Sequence, residues 1–289
     1  MPTADADGIT TYYEVAGTGE PLLMFSPGGF NARLDNWSEL GSYRRIKPVE
    51  HLSQRYTCIV FDRRESGQSG GRVERITWSD YVAQAKGLLD HLGLAQAHLM
   101  GGCQGCSVAT AFAVAHPDVA LSLVLYWPAG GPKYRITQHA RFARHLAYVQ
   151  QDGLDEVVAL AQNSPAHFGQ DSRVGPWAAV IRSDAAFAQT YIDQDSERYR
   201  TLVAGMARTL LDRDTVPGAE PEDLIQLDVP TLIIPGHDDS HATSAARYLQ
   251  ECLVAAEYWD VNVAEQTERT VPARILKFLD AVASLHSGA

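Results

Sequence analysis

A cysteine flanked by glycines, Gly101-Gly102-Cys103-Gln104-Gly105, is the strongest candidate for chemistry in this chain. Before it runs Ala97-His98-Leu99-Met100, a short apolar stretch of strand length, and after it Ser107 to Ala115 reads as a small-residue helix. Strand, tight turn and helix therefore follow one another. The central residue of such a turn sits in strained backbone geometry, and the glycines let the helix approach the sheet. A thiol there is a potential nucleophile, and a helix N-terminus favours its anion. The plain alternative is a glycine-rich turn of an α/β protein whose thiol is only a small buried apolar group.

Three other segments bear on that choice. Pro21 to Phe25 is an apolar strand leading into Ser26-Pro27-Gly28-Gly29-Phe30, where glycines would let backbone N–H groups approach a developing negative charge. The N–H of Gln104 would be the second donor. Cys58 to Phe61 is a β-branched and aromatic strand running into Asp62-Arg63-Arg64-Glu65-Ser66-Gly67-Gln68-Ser69-Gly70. Thr231 to Gly236 is a further buried strand, and it flows into His237-Asp238-Asp239-Ser240-His241.

Taken in order, these segments resemble the α/β-hydrolase superfamily over about residues 8–280, apart from an insert. The resemblance implies an α/β fold with a mostly parallel sheet, flanking helices and an inserted helical cap. It also implies that Cys103 stands where a serine nucleophile usually does, and that Gly28, Gly29 and Gln104 surround the oxyanion. Asp239 aligns best with the acid of the triad and Asp238 is the second choice; the alternative for Asp239 or Ser240 is a helix N-cap. The Asp62–Gly70 segment looks like the family's structural turn, so Arg63 and Arg64 are not assigned to catalysis. Dienelactone hydrolases share the G-x-C-x-G elbow, which points to ester or lactone chemistry.

Two departures stand out. Ser26-Pro27 replaces the usual His-Gly, and the loop Asn262 to Thr270, where the triad histidine should lie, contains none. No histidine occurs between His241 and His286, and His286 lies in a Ser-Gly-containing tail. Three readings remain open. His241 supplies the imidazole from the acid turn; or the thiolate acts without imidazole, since a thiol with a pKa of about 8.5 is already partly ionised at neutral pH; or the scaffold binds a ligand without hydrolysing it, or does chemistry other than acyl transfer. In the second reading a thioester would clear slowly unless Glu265, Asp239 or His241 activated water. Glu265 otherwise reads as a solvated loop carboxylate.

At 289 residues the chain suits one large domain with an insertion. The expected partition is a core of residues 1–127 and 218–289 and a helical cap of 128–217. A formal charge of −11 with no basic stripe argues against nucleic acid and anionic membranes as partners. The N-terminal residues lack a basic and apolar leader pattern and no run reaches spanning length, so a cytoplasmic protein with a small-molecule substrate is the expectation, with a homodimer left open. Four cysteines make no disulfide framework: Cys58 and Cys252 read as core, and Cys103-Gln104-Gly105-Cys106 also has the spacing of a redox pair. No histidine pair has metal-ligand spacing with a third ligand, and no cofactor is implied.

The insert is rich in aromatics, including Tyr134, Phe142, Phe168, Trp177 and Tyr199. Most should be core, with some lining a cleft together with Trp127 and Phe30. That cleft suits a small, largely apolar or aromatic substrate with a carbonyl. Arg135, His139 and His145 are either a solvated face or contacts for an anionic group.

Overall fold

The computed structural model describes residues 2–286; His286 is described in its backbone alone, and its side chain lies outside the described residues. Eight strands, β1 (Thr3–Ala6), β2 (Ile9–Ala16), β3 (Pro21–Phe25), β4 (Thr57–Phe61), β5 (Ala97–Gly102), β6 (Ala120–Tyr126), β7 (Thr231–Ile234) and β8 (Ala256–Tyr258), form one sheet in the order β1-β2-β4-β3-β5-β6-β7-β8. The first two pairings are antiparallel and all later ones parallel. Chain order and sheet order diverge at β3 and β4, so the C-terminal ends of β3 and β5 become neighbours. Ligands of open α/β sheets bind beyond those ends.

The central strands are apolar at nearly every position because both faces are covered. Leu23, Phe25, Leu99, Leu123, Leu125 and Ile233 pack on one face with α4 (Trp78–His91) and α5 (Gly105–Ala115). Their alternates Leu22, Met24, Met100, Val124, Leu232 and Ile234 pack on the other face with α12 (Thr270–His286). Three short helices, α1 (Asn36–Glu39), α2 (Gly41–Ile46) and α3 (Pro48–Leu52), join β3 to β4 on that second face. The alternation is the two-residue period of a strand read out on two helical layers.

Between β6 and β7 lie α6 (Pro132–Asn163), α7 (Ala178–Ser183), α8 (Ala185–Ile192), α9 (Ser196–Leu210) and α10 (Pro221–Gln226), and α11 (Thr243–Cys252) follows β7. Helix α6 is two helices joined at Gly153, whose φ of 89° is a left-handed setting that side chains resist. Its N-terminal half carries Tyr134, Gln138 and Arg141 at i, i+4 and i+7, one face of a helix. His145 is buried within this segment. Its Nε2 faces the Tyr199 hydroxyl at 2.7 Å and its Nδ1 faces the carbonyl of Arg173 at 3.2 Å. Burial holds its pKa down, to about 4.

Candidate active site

Cys103 has φ 54°, an uncommon setting for a side-chain-bearing residue, at the junction of β5 and α5. The turn is pinned on both sides: the Cys103 N–H donates to the carbonyl of Tyr126 at 3.2 Å, and its carbonyl accepts from the N–H groups of Cys106 and Ala129. The glycines are sterically required. A Cβ at Gly105 would meet the carbonyl oxygen of Phe25 at 2.2 Å, and one at Gly101 the Cys106 backbone at 2.6 Å.

The partner of the thiol comes from the turn after β7. His241 Nδ1 lies 2.8 Å from Asp238 Oδ1, and the same oxygen accepts from the N–H groups of Ser240 and His241. The carboxylate paired with the imidazole is therefore Asp238. Asp239, the better aligned residue, is instead exposed and 2.7 Å from Lys133 Nζ. The reason is the tightness of the turn: with Asp238 N–H and carbonyl exchanging bonds with His241, the side chain of residue 238 faces the ring three residues on, and that of residue 239 faces solvent. The turn is fixed to the chain after β6, since Gly130 donates to the Ser240 carbonyl at 3.0 Å and bridges to His241. Gly236 leaves room for the imidazole, because a Cβ there would stand 2.6 Å from His241 Cβ.

His241 Nε2 is buried and has no oxygen or nitrogen partner among the described residues, and the group it interacts with is the Cys103 thiol. Burial alone would push the Cys103 pKa up, but the charge and proton of His241, together with backbone groups of Gly28 and Gln104, outweigh it and hold the thiol below its ordinary value. Burial likewise opposes the imidazolium, yet the Cys103 charge and the Asp238 hydrogen bond raise His241 to about 10. The bond to His241 lowers Asp238 to about 2. Each group thus favours the charged form of the other.

Opposite Cys103 lies the Gly28-Gly29-Phe30 loop. One Arg63 nitrogen donates to the carbonyls of Gly28, at 3.0 Å, and Gly29, and to Gln104 Oε1 at 2.9 Å. In a trans peptide the following N–H points away from the carbonyl. Arg63 therefore turns the N–H groups of Gly29 and Phe30 away from itself, and among the described residues these and the Gln104 N–H donate to no backbone or side-chain oxygen. Arg63 was legible in the sequence only as part of a structural turn. Its neighbour Arg64 is structural here, bonded to the buried Glu65 at 3.0 Å and to Glu74.

A cavity of about 300 Å³ joins these groups, with Cys103, His241, Phe30, Tyr134, Gln138 and Arg141 in its wall. Phe30 forms an aromatic trio with Phe142 and Phe168 at 5.7 and 5.4 Å between ring centroids. Trp127, expected in the wall, is not there. Its ring lies 5.4 Å from that of His241, and its Nε1 donates to Gln266 Oε1 at 2.6 Å, which holds the indole beside the imidazole. Arg135 is tied to the Leu211 carbonyl and Asp214, and His139 and His145 also lie outside the cavity wall.

The loop that lacks a histidine has a different occupation. Gln266 is fully buried and both ends of its amide are used, by Trp127 and by the Pro235 carbonyl at 2.8 Å. Glu265 is exposed and bonds the N–H of Asn262 at 3.3 Å, a capping role. Cys106 is buried, with its thiol donating to the Gly101 carbonyl, and both it and Cys103 are free. Among the described residues no group of three or more His, Cys, Asp or Glu side chains is arranged to hold a metal ion, and no helix is long and apolar enough to cross a membrane.

Residues 21–252 match the alpha/beta hydrolase fold family, and the chain belongs to that family. Over 127 residues it is 32% identical to the dihydrolipoyllysine-residue acetyltransferase component of the acetoin cleaving system of Cupriavidus necator, covering 44% of this chain and 32% of that protein. It is also 32% identical over 127 residues to 2-hydroxy-6-oxo-6-phenylhexa-2,4-dienoate hydrolase of Comamonas testosteroni, covering 44% of this chain and 42% of the relative. The matched stretches thus span less than half the length of these relatives. Among solved structures, the enol-lactonase of Burkholderia xenovorans superposes with a TM-score of 0.61 at 21% identity, covering 96% of this chain and all of that one. An esterase from Thermogutta terrifontis gives 0.62 at 21% identity over 97% and 98% of the two chains. At that identity the likeness is one of fold.

Proposed function

We propose that the protein is a hydrolase or acyl-transfer enzyme acting on an ester, lactone or thioester of a small, largely apolar or aromatic molecule, with Cys103 as nucleophile, His241 as acid and base, and Asp238 as the group that orients His241. The single observation that carries the reading is the otherwise unbonded, buried Nε2 of His241 coupled to the thiol at a strained strand-to-helix turn. The hydrolase among the relatives above and the acyl transferase beside it support the reaction class.

In the first step the Cys103 sulfur bonds to the substrate carbonyl carbon, and the carbonyl oxygen takes the negative charge. The N–H of Gln104 and those of the Gly29 region stabilise it. When the intermediate collapses, the bond to the alkoxide breaks and the alkoxide takes the proton from His241 Nε2, leaving a thioester and an alcohol. Neutral His241 then removes a proton from water as water attacks the thioester. Collapse expels the Cys103 thiolate, releases the acid and restores the ion pair. Asp238 keeps the ring in the tautomer with Nδ1–H toward the carboxylate, so that Nε2 faces the sulfur. The 128–217 segment acts as the cap, supplying the α6 wall of the cavity.

The test is intact-protein mass spectrometry after mixing with para-nitrophenyl acetate. The expected result is a Cys103-dependent acyl adduct that turns over in wild type and accumulates in His241→Ala. An inert thiol in wild type would favour the ligand-binding alternative.

A further inference from the structure

The charge of the cavity is opposite to that of the protein. The chain carries a formal charge of −11, yet no Asp or Glu lies among the residues that wall the cavity of about 300 Å³. The wall does contain Arg141, and among the described residues no carboxylate forms an ion pair with it. Its neighbour His167 also faces the cavity. Burial first, and then the charges of Arg141, Arg33 and Arg182, hold that imidazole below its ordinary pKa.

The contrast with the other cations nearby is what gives Arg141 its meaning. A wider cleft of about 670 Å³ adjoins the cavity, and the two share Asn31, Asn36, Leu40 and His167. Arg33 in that cleft is paired with Asp35 at 3.4 Å and Glu39 at 2.9 Å. Arg182 donates to the carbonyls of Ala161, Ser164 and Ala166, which close the end of α6 and the loop after it. Both are structurally engaged. Arg141 stands on the same helical face as Tyr134 and Gln138 and lines the cavity, with a planar guanidinium that no carboxylate among the described residues pairs with.

We propose that Arg141, with His167 and Gln138 beside it, is a subsite for a carboxylate, and that the substrate is a small molecule carrying a free carboxylate as well as the ester, lactone or thioester that Cys103 attacks. This rests on the hydrolytic reading above and adds its specificity. A guanidinium matches a carboxylate with two parallel hydrogen bonds, and no Asp or Glu in the wall of this cavity competes for it. Phe30 and Phe168, both in the cavity wall, would meet the apolar part of such a substrate. Substrates of about this cavity's size lie at the small end of the usual range.

Two measurements test this and separate its failure from that of hydrolysis. The first compares alkylation of Cys103 by iodoacetate and iodoacetamide, reagents that differ in charge at nearly equal size; in each the sulfur displaces iodide from carbon. The adduct is located by peptide mass spectrometry. The ratio of the iodoacetate rate to the iodoacetamide rate is expected to fall about tenfold in Arg141→Met and to be largely kept in Arg141→Lys. A structural effect would slow both reagents together, and an unchanged ratio overturns the subsite. The second compares mono-para-nitrophenyl glutarate with para-nitrophenyl butyrate. Wild type is expected to favour the carboxylate ester by about tenfold in kcat/KM, and the preference to fall in Arg141→Met. Preference for the neutral ester, or a preference indifferent to Arg141, overturns the proposal. If the alkylation ratio responds to Arg141 but neither ester acylates Cys103, the anion subsite stands and the hydrolytic reading falls.

Discussion

Two loops at the C-terminal edge of the sheet both reach the His241 imidazole, one carrying it and the other holding the indole beside it. The turn Gly236–Ala242 carries both carboxylate and imidazole, Asp238 and His241, three residues apart. The loop 262–270, from which the α/β-hydrolase pattern would deliver the imidazole, instead sends in Gln266, whose amide bridges Trp127 and Pro235. Trp127 in turn packs on His241. In the proposed reaction the second loop would not supply the base; it holds the indole that lies beside the His241 imidazole. A catalytic group is defined by where its reactive atom points, and two different segments can bring Nε2 to the same sulfur.

The contrast is broken most severely by removing the groups of the first turn. His241→Ala is expected to lower kcat/KM for an activated ester by about 10³-fold, with acyl-enzyme persisting in the mass spectrum. Asp238→Asn is expected to lower it by about 10²-fold, because the carboxylate is half exposed and shares its hold on the ring with the turn backbone, whereas Asp239→Asn should stay within about twofold. Steady-state kinetics of the two Asn variants side by side checks this; equal losses would mean that the turn acts as a block. The pH profile sharpens it further. The proposed mechanism uses ionised Cys103 and protonated His241, so activity should rise through a Cys103 pKa below the ordinary cysteine range and fall again as pH climbs through about 10, where His241 loses its proton.

Gln266→Ala probes the second loop. It leaves the Trp127 N–H and the Pro235 carbonyl without partners and is expected to cost about 2 kcal/mol in a denaturant unfolding curve. The loss in kcat should be smaller than for Asp238→Asn. A gentler effect concerns the other buried histidine. His145 sits at about 4 in the fold against about 6.5 in the unfolded chain, so both forms are neutral above that value and pH has no leverage there. Below it the unfolded chain takes up a proton that the fold refuses, and stability should fall by about 2 kcal/mol between pH 6.5 and 5. Comparing unfolding at those two pH values in wild type and His145→Gln checks the sign, since the variant should lose this slope.

Much of the fold was legible because its signals are local. Apolar runs such as Pro21–Phe25 and Thr231–Ile234, and glycines that sterics demand at 101 and 105, fix strands and turn without reference to distant residues. Cys103 was legible for the same reason. The choice between Asp238 and Asp239 was not, because adjacent residues of a turn point in opposite directions and only the hydrogen bonds of the closed turn decide which faces the ring. Arg63 was read as a fold-pinning turn residue, and its reach to Gly28, Gly29 and Gln104 depends on β3, β4 and β5 lying side by side. Arg141 had a usable signal in its i+7 spacing from Tyr134, but the face of α6 that meets the cavity is set by packing, and the sequence reading named Arg135, His139 and His145 and passed it over. Gln266 gave no signal in sequence, since a glutamine in a polar loop has no distinguishing neighbours.

The most direct test of the central claim is a titration of Cys103 followed by thiolate ultraviolet absorbance, taken as the difference between wild type and Cys103→Ser and repeated in the His241→Ala background. The account predicts a Cys103 pKa clearly below the ordinary value of about 8.5 in wild type and a rise above it when the imidazole is gone, because burial then acts unopposed. A thiol that titrates at or above the ordinary value in wild type, unmoved by His241→Ala, would contradict it.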